Sequence, residues 1–253
     1  MILTIVLCFF ILLIAGMPIA LILAVTTATA LFFHTSTPLH IITQQLFNAL
    51  DKFILLAIPF FILAGSIMTK GAIARKLINF VNALVGCFPG GLSIAGVLAC
   101  IFFAAISGSS PATVVAIGSI MIPALIKSGY DTRFSLGLIT VSGSLGIVIP
   151  PSIPMILYCL VMNVSVAELF MAGVLPGLLI GLCLIGYSYV KSKKNNWCLE
   201  GEASFSEILR TAREGIWALI LPVIVLGGIY SGVFTPTEAA AISVVYSLSL
   251  IHI

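Results

Sequence analysis

Residues 106–113, Ile106-Ser107-Gly108-Ser109-Ser110-Pro111-Ala112-Thr113, set hydroxyls, a glycine and a helix-breaking proline inside an apolar run. No Asp, Glu, Lys or Arg occurs from Leu77 to Ile126, so the run belongs in or against lipid. Hydrocarbon offers no partner to an unpaired N–H or C=O, so a backbone break there must be lined by protein or water. Ser109 or Ser110 is placed to cap a half-helix that starts at Pro111. Its N-terminal N–H groups and partial positive charge would attract a carboxylate. Carbonyls near Ile106 and Ser107, at the end of the preceding half-helix, point the other way. With the serine hydroxyls they form an oxygen set suited to a hard cation such as Na⁺.

A second break follows at Ser142-Gly143-Ser144-Leu145-Gly146-Ile147-Val148-Ile149-Pro150-Pro151-Ser152. Gly143 and Gly146 permit unwinding that exposes further carbonyls. Pro150 and Pro151 prevent regular helical bonding. A single Gly or Pro in a membrane helix is ordinarily a packing kink. Two polar breaks in succession point instead to a binding site. Thr113, Ser119, Thr140 and Ser152 are weaker candidates, each expected to bond a carbonyl one turn earlier. Charge is missing from the apolar runs, and Glu238 at a segment start suits an N-terminal helix role. Neutral oxygens therefore favour Na⁺ over a carboxylate proton relay.

The elements that position these breaks are membrane helices. The chain has 253 residues, 61% hydrophobic and 8% charged, against about 25% charged in soluble domains. Mean hydropathy is +1.28. The expected fold class is all-α: a polytopic membrane protein with a re-entrant helical hairpin and a broken transmembrane helix, the lipid bilayer being its solvent. The short basic segments, Lys70–Lys76, Lys127–Arg133 and Lys191–Arg213, are expected to be cytoplasmic. No dense basic face with interleaved aromatics exists, so nucleic acid is not an expected partner. Six cysteines (Cys8, Cys87, Cys100, Cys159, Cys183, Cys198) form no CxxC pair and read as small core hydrophobes. The start, Met1-Ile2-Leu3-Thr4, lacks a basic n-region and reads as a first membrane helix rather than a signal peptide.

Residues 2–33 are almost wholly apolar. One straight helix of that length would run ~48 Å, too long for a ~30 Å hydrocarbon core, so Gly16-Met17-Pro18 kinks it or it tilts. A polar connection with an interfacial helix at Ile41–Leu50 follows, then a span over 53–69. Residues 77–88, too few to cross and ended by Pro89-Gly90-Gly91, read as a helix along the cytoplasmic interface. Because the basic segments on either side share a compartment, 92–126 must leave and return. This is the re-entrant hairpin, Leu92 to about Ile106 and Pro111 to Ile126. Residues 134–163 form one broken crossing and 169–190 return. The polar segment 191–214 carries an amphipathic helix at Phe205–Arg213, 215–234 span again, and a last segment starts at Ala239.

Enzymatic readings fail on residue type. No His lies between His40 and His252 to serve an intramembrane serine nucleophile. HExxH and GxxxxGK[ST] are absent, and Asp51 and Asp131 lie near loops. A non-transport membrane scaffold remains as another class.

Four stretches carry a resemblance: Ile58-Pro59-Phe60-Phe61-Ile62-Leu63-Ala64-Gly65, Ser107-Gly108-Ser109-Ser110-Pro111-Ala112-Thr113, Gly146-Ile147-Val148-Ile149-Pro150-Pro151-Ser152 and Gly232-Val233-Phe234-Thr235-Pro236-Thr237-Glu238-Ala239. In order and spacing the chain resembles the large membrane subunit of a tripartite ATP-independent periplasmic (TRAP) transporter over nearly all of residues 1–248. The resemblance implies two inverted repeats, each with a hairpin and a broken helix, and an elevator-like movement driven by a Na⁺ gradient in the bacterial inner membrane. It implies a periplasmic substrate-binding protein and a small membrane subunit as partners. It implies a small organic acid anion as substrate, C4-dicarboxylate or sialic-acid-like. By that resemblance Ser107, Ser110, Gly143, Gly146 and Val148 form a first Na⁺ site, chiefly through backbone carbonyls. Ser109, Thr113, Pro151 and Ser152 are the substrate-site candidates. The implied domains are a scaffold at 1–76, an interfacial connection at 77–91, the first half of a transport domain at 92–168, membrane helices at 169–234 and a further segment at 235–253. Only the first hairpin and broken helix are present, and Ser249–Ile253 does not resemble the family's continuation. The chain is therefore expected to be a fragment unable to transport alone. A stand-alone divalent anion–Na⁺ symporter is the other transport reading.

Overall fold

The computed structural model describes residues 1–70, 73–86, 88–195, 197 and 205–252. Cys87, Cys198, Ile253 and part of the 191–214 segment lie outside the described residues. Every regular element among those described is helical. The chain divides into two compact units, Met1–Lys52 and Phe53–Ile253.

The first unit holds α1 (Ile2–Ile14), α2 (Ile19–His34) and α3 (His40–Leu50). The run expected to be one kinked or tilted helix is instead two helices folded back on each other. Thr4 Oγ1 lies 2.7 Å from His34 Nε2, and Cys8 Sγ lies 3.9 Å from Thr29 Oγ1, so the helices are antiparallel. The reversal is local chemistry. Gly16 takes φ +74, its N–H bonds Leu13 O, and the Met17 N–H bonds Leu12 O at 3.2 Å. This is a Schellman ending, and Pro18 bars any continuation. At thirteen and sixteen residues the two helices measure about 20 and 24 Å.

The second unit starts with a 3₁₀ turn at Phe53–Leu56. Ten helices follow among the described residues: α4 (Ala57–Lys70), α5 (Ile73–Val85), α6 (Gly91–Ser107), α7 (Ser110–Lys127), α8 (Thr132–Gly143), α9 (Leu145–Val148), α10 (Ile153–Met162), α11 (Val166–Lys194), α12 (Phe205–Tyr230) and α13 (Pro236–His252). Phe61, Leu77, Phe103, Met121, Ile139 and Phe170 are among its fully buried side chains. Among the described residues, four segments are long and apolar enough to cross a membrane: Ser110–Lys127, Thr132–Met162, Val166–Lys194 and Ser206–Tyr230. The chain is a membrane-spanning protein.

Three elements differ from the sequence expectation. Helix α5 starts at Ile73, so Arg75 and Lys76 ride on it rather than in a loop. Its buried stripe, Ile73, Ala74, Leu77, Ile78 and Val81, has the spacing of one apolar helix face. That face packs on α6 and α12, so protein covers it. Helix α11 runs unbroken for 29 residues. Its N-cap Ser165 accepts from the Glu168 N–H at 3.4 Å, and Lys191, Lys193 and Lys194 occupy its last turn, where cations suit the helix dipole. Helix α12 merges the expected amphipathic helix and the following span into one 26-residue helix. Of the described cysteines, Cys100 and Cys159 are buried, Cys8 is partly so and Cys183 is exposed.

Candidate functional site

The apolar segment 91–127 turns at Gly108-Ser109. Gly108 adopts φ +60 and its N–H bonds Ala104 O at 3.0 Å, closing α6. Ser109 is extended, and α7 starts after it. The helices pack antiparallel. Near the tip, Ser107 Oγ and Thr113 Oγ1 lie 3.1 Å apart, both buried. Farther down, a Cβ on Gly96 would sit 3.3 Å from Met121 Cε. The expected hairpin is therefore present. The eighteen residues of α7 reach about 27 Å.

Ser109 holds the N-cap position, but its hydroxyl makes no capping bond. Its carbonyl accepts from the Thr113 N–H at 3.0 Å and from Thr113 Oγ1 at 2.9 Å. Thr113 thus bonds back one turn as expected. Ser119 does likewise, to Ala116 O at 3.1 Å. The Ser110 hydroxyl instead donates across to Ser144 O at 3.4 Å. The first turn of α7 is left without a side-chain cap, which suits it to an anion.

The second break lies between α8 and α10. Helix α9 is a single turn, Ile149 and Ser152 are extended, and the Pro150–Pro151 peptide is cis. The Ser152 hydroxyl donates to Ile147 O at 2.6 Å. It bridges the unwound stretch rather than bonding one helical turn back, contrary to expectation.

The two breaks meet. The Ile153 N–H donates to Gly108 O at 3.1 Å. A Cβ on Gly108 would lie 2.6 Å from Pro151 O, and one on Gly146 would lie 2.9 Å from the Ser110 nitrogen. A Cβ on Gly143 would collide with the Val114 side chain. The structure therefore brings together Ser107, Ser109, Ser110, Thr113, Gly143, Gly146 and Pro151. Val148 is placed differently, its carbonyl lying against Gly173 of α11.

Sequence reasoning missed a third wall. A cavity of about 230 Å³ lies between α4 and the hairpin tip, lined by Ile62, Gly65, Ser66 and Thr69 with Ser107, Ser109, Ala112 and Val115. A Cβ on Gly65 would sit 3.0 Å from Ser107 Cα, so the absent side chain lets α4 approach the tip. The Gly-Ser-x-x-Thr spacing at 65–69, small residues one helical turn apart, is the signal that could have found it. Ser144, acceptor for Ser110, was also missed as a ligand candidate.

The profile of the tripartite ATP-independent periplasmic transporter, DctM component, matches residues 6–253. The chain belongs to this TRAP transporter family. It is 51% identical to the C4-dicarboxylate TRAP transporter large permease protein DctM of Vibrio cholerae, over 92% of this chain and 52% of that protein. It is 48% identical to the ectoine/5-hydroxyectoine TRAP transporter large permease protein UehC of Ruegeria pomeroyi, over 82% of this chain and 48% of that protein. It is 44% identical to the isethionate TRAP transporter permease protein DctMQ of Oleidesulfovibrio alaskensis, over 93% of this chain and 37% of that protein. The chain spans about half the length of the DctM relatives it matches. The four resembling stretches fall on α4, the hairpin tip, the second break and the turn into α13. In that last turn of this TRAP family chain, the Glu238 carboxylate accepts from Thr235 N–H and Oγ1, each at 2.8 Å. Thr235 Oγ1 accepts in return from the Glu238 N–H, forming a capping box. The helix-start role expected for Glu238 is the one it has.

Proposed function

We propose that this chain supplies one half of the transport centre of a Na⁺-coupled organic acid importer. The observation that carries the reading is the junction of the two breaks, Ile153 N–H to Gly108 O, with Ser110 reaching Ser144 O beside it. Neutral hydroxyls and carbonyls gathered at unwound helices suit a hard monovalent cation. Ser107, Ser110, Gly143 and Gly146 are the proposed ion-site residues, with Val148 contributing from the side facing α11. The uncapped start of α7 suits a substrate carboxylate, with Ser109, Thr113, Pro151 and Ser152 around it. Three relatives of 47–53% identity are named for C4-dicarboxylates, which makes that class the leading substrate. Sialic-acid-like acids are the lesser alternative.

The proposed partners are a small membrane subunit and a periplasmic substrate-binding protein, as the tripartite family description supports. The proposed location is the bacterial inner membrane, and the proposed movement is an elevator shift of the hairpin and broken helix against a scaffold. The test is uptake of labelled succinate into proteoliposomes that carry the permease, small subunit and binding protein, with and without an inward Na⁺ gradient. Na⁺-dependent uptake is expected. Uptake undiminished without Na⁺ would sink the coupling, and uptake by the permease alone would favour a stand-alone symporter.

A further inference from the structure

At the end of α8 one hydroxyl is buried with no partner among the described residues. Ser142 is 0% exposed, and its Oγ makes no hydrogen bond among them. A serine in a helix ordinarily bonds the carbonyl three or four residues back. Ser135 and Ser144, on either side, do so at 2.9 and 2.7 Å. Three other described residues carry such an atom (Thr26, Asn82 and Tyr230), on α2, α5 and α12. Ser142 alone of the four lies beside one of the two breaks that form the site.

Its position directs it at the site. On a helix, residues three and four apart share a face. Ile139, three residues earlier, packs toward Gly96 and Gly118 of the hairpin. Gly143, the next residue, touches Val114, and the Ser144 carbonyl receives Ser110. Helix α8 packs on α6 and α7, where Ser107 and Thr113 already form a buried hydroxyl pair. No formal charge lies among these residues, and hydroxyl oxygens with free lone pairs suit a hard cation.

We propose that the Ser142 hydroxyl is a further ligand of the coupling cation, adding a side-chain oxygen from α8 to the carbonyls of the two breaks. This rests on the Na⁺-coupled reading above. It explains a buried hydroxyl that the protein's own backbone leaves unsatisfied.

The test is thermal unfolding of the purified chain in detergent, followed by intrinsic fluorescence during titration with NaCl against choline chloride at constant ionic strength. The wild type is expected to gain melting temperature with Na⁺ and not with choline. Ser142→Ala is expected to need about tenfold more Na⁺ for the same gain, a factor of ten being about 1.4 kcal/mol. Its Na⁺-free melting temperature is expected to be unchanged or higher, because an unsatisfied buried group has gone. Ser119→Ala, whose hydroxyl is already bonded, should follow the wild type. A Ser142→Ala titration identical to wild type overturns the ligand role and leaves the coupling standing. A lower Na⁺-free melting temperature with an unchanged Na⁺ response marks a packing role and also overturns it. A wild type without any Na⁺-specific gain overturns both readings.

Discussion

The amide of Ile153 donates to the carbonyl of Gly108 at 3.1 Å, tying the end of one chain break to the tip of the other. Each break frees backbone groups that hydrocarbon cannot satisfy. Here each satisfies part of the other, so the hairpin and the broken helix are coupled as one junction.

Gly108→Ala is expected to break that junction. The residue sits at φ +60, and a Cβ would lie 2.6 Å from Pro151 O. The left-handed backbone alone costs a non-glycine residue about 1–2 kcal/mol, and the collision adds to it. A melting temperature in detergent within a degree of wild type would contradict this account.

Gly65→Ala and Gly186→Ala should have opposite signs. Both lie in helices, where Ala is favoured over Gly by about 1 kcal/mol. At Gly186 a Cβ meets nothing within 4 Å, so stabilisation is expected. At Gly65 it would press on Ser107 at 3.0 Å, pushing α4 from the hairpin tip, and overpacking of this kind costs about 1–3 kcal/mol. Unfolding midpoints of the two variants measured side by side check the difference in sign.

Ser110→Ala removes the hydroxyl that donates to Ser144 O at 3.4 Å. It is expected to shift the Na⁺ dependence of uptake to higher concentration, by about tenfold if a ligand worth 1.4 kcal/mol is lost. An unchanged Na⁺ titration of uptake would remove Ser110 from the ion site.

The start of α13 should respond to acid. The Thr235 N–H, then its hydroxyl, hold the exposed Glu238 carboxylate below its ordinary 4.5. A lowered carboxylate pKa gives stabilisation that is complete above the ordinary value and lost as pH falls through the lowered one. The protection factor of the Thr235 and Glu238 amides, their intrinsic over observed exchange rate, should therefore be constant from neutral pH to about pH 5 and fall on further acidification. Glu238→Gln should remove that pH dependence, because the carboxyl that titrates is gone.

Much of the architecture was legible because helix interruption is local chemistry. Ser107–Pro111 and Gly143–Pro151 announced both breaks, since Gly, Pro and Ser act on their own backbone wherever the chain takes them. Composition alone placed the chain in a membrane, and the position of Glu238 announced a helix-start role, while the capping box with Thr235 came from the structure. Other features needed contacts. Gly16–Pro18 signalled an interruption, but that it is a full reversal, setting Thr4 against His34, is seen only in the folded chain. The amphipathic stripe of α5 showed an apolar face without showing that α6 and α12, rather than lipid, would cover it.

By itself, the sequence determined where the two breaks of the site fall and that no charge enters the apolar runs. Only the tertiary structure decided that Gly108 meets Pro151, that Gly65 admits α4 to Ser107, and that Ser142 is buried without a partner among the described residues. The physical reason is distance along the chain. Residues 108 and 151 share no local backbone geometry, and their meeting follows from the packing of whole helices, which no single segment encodes.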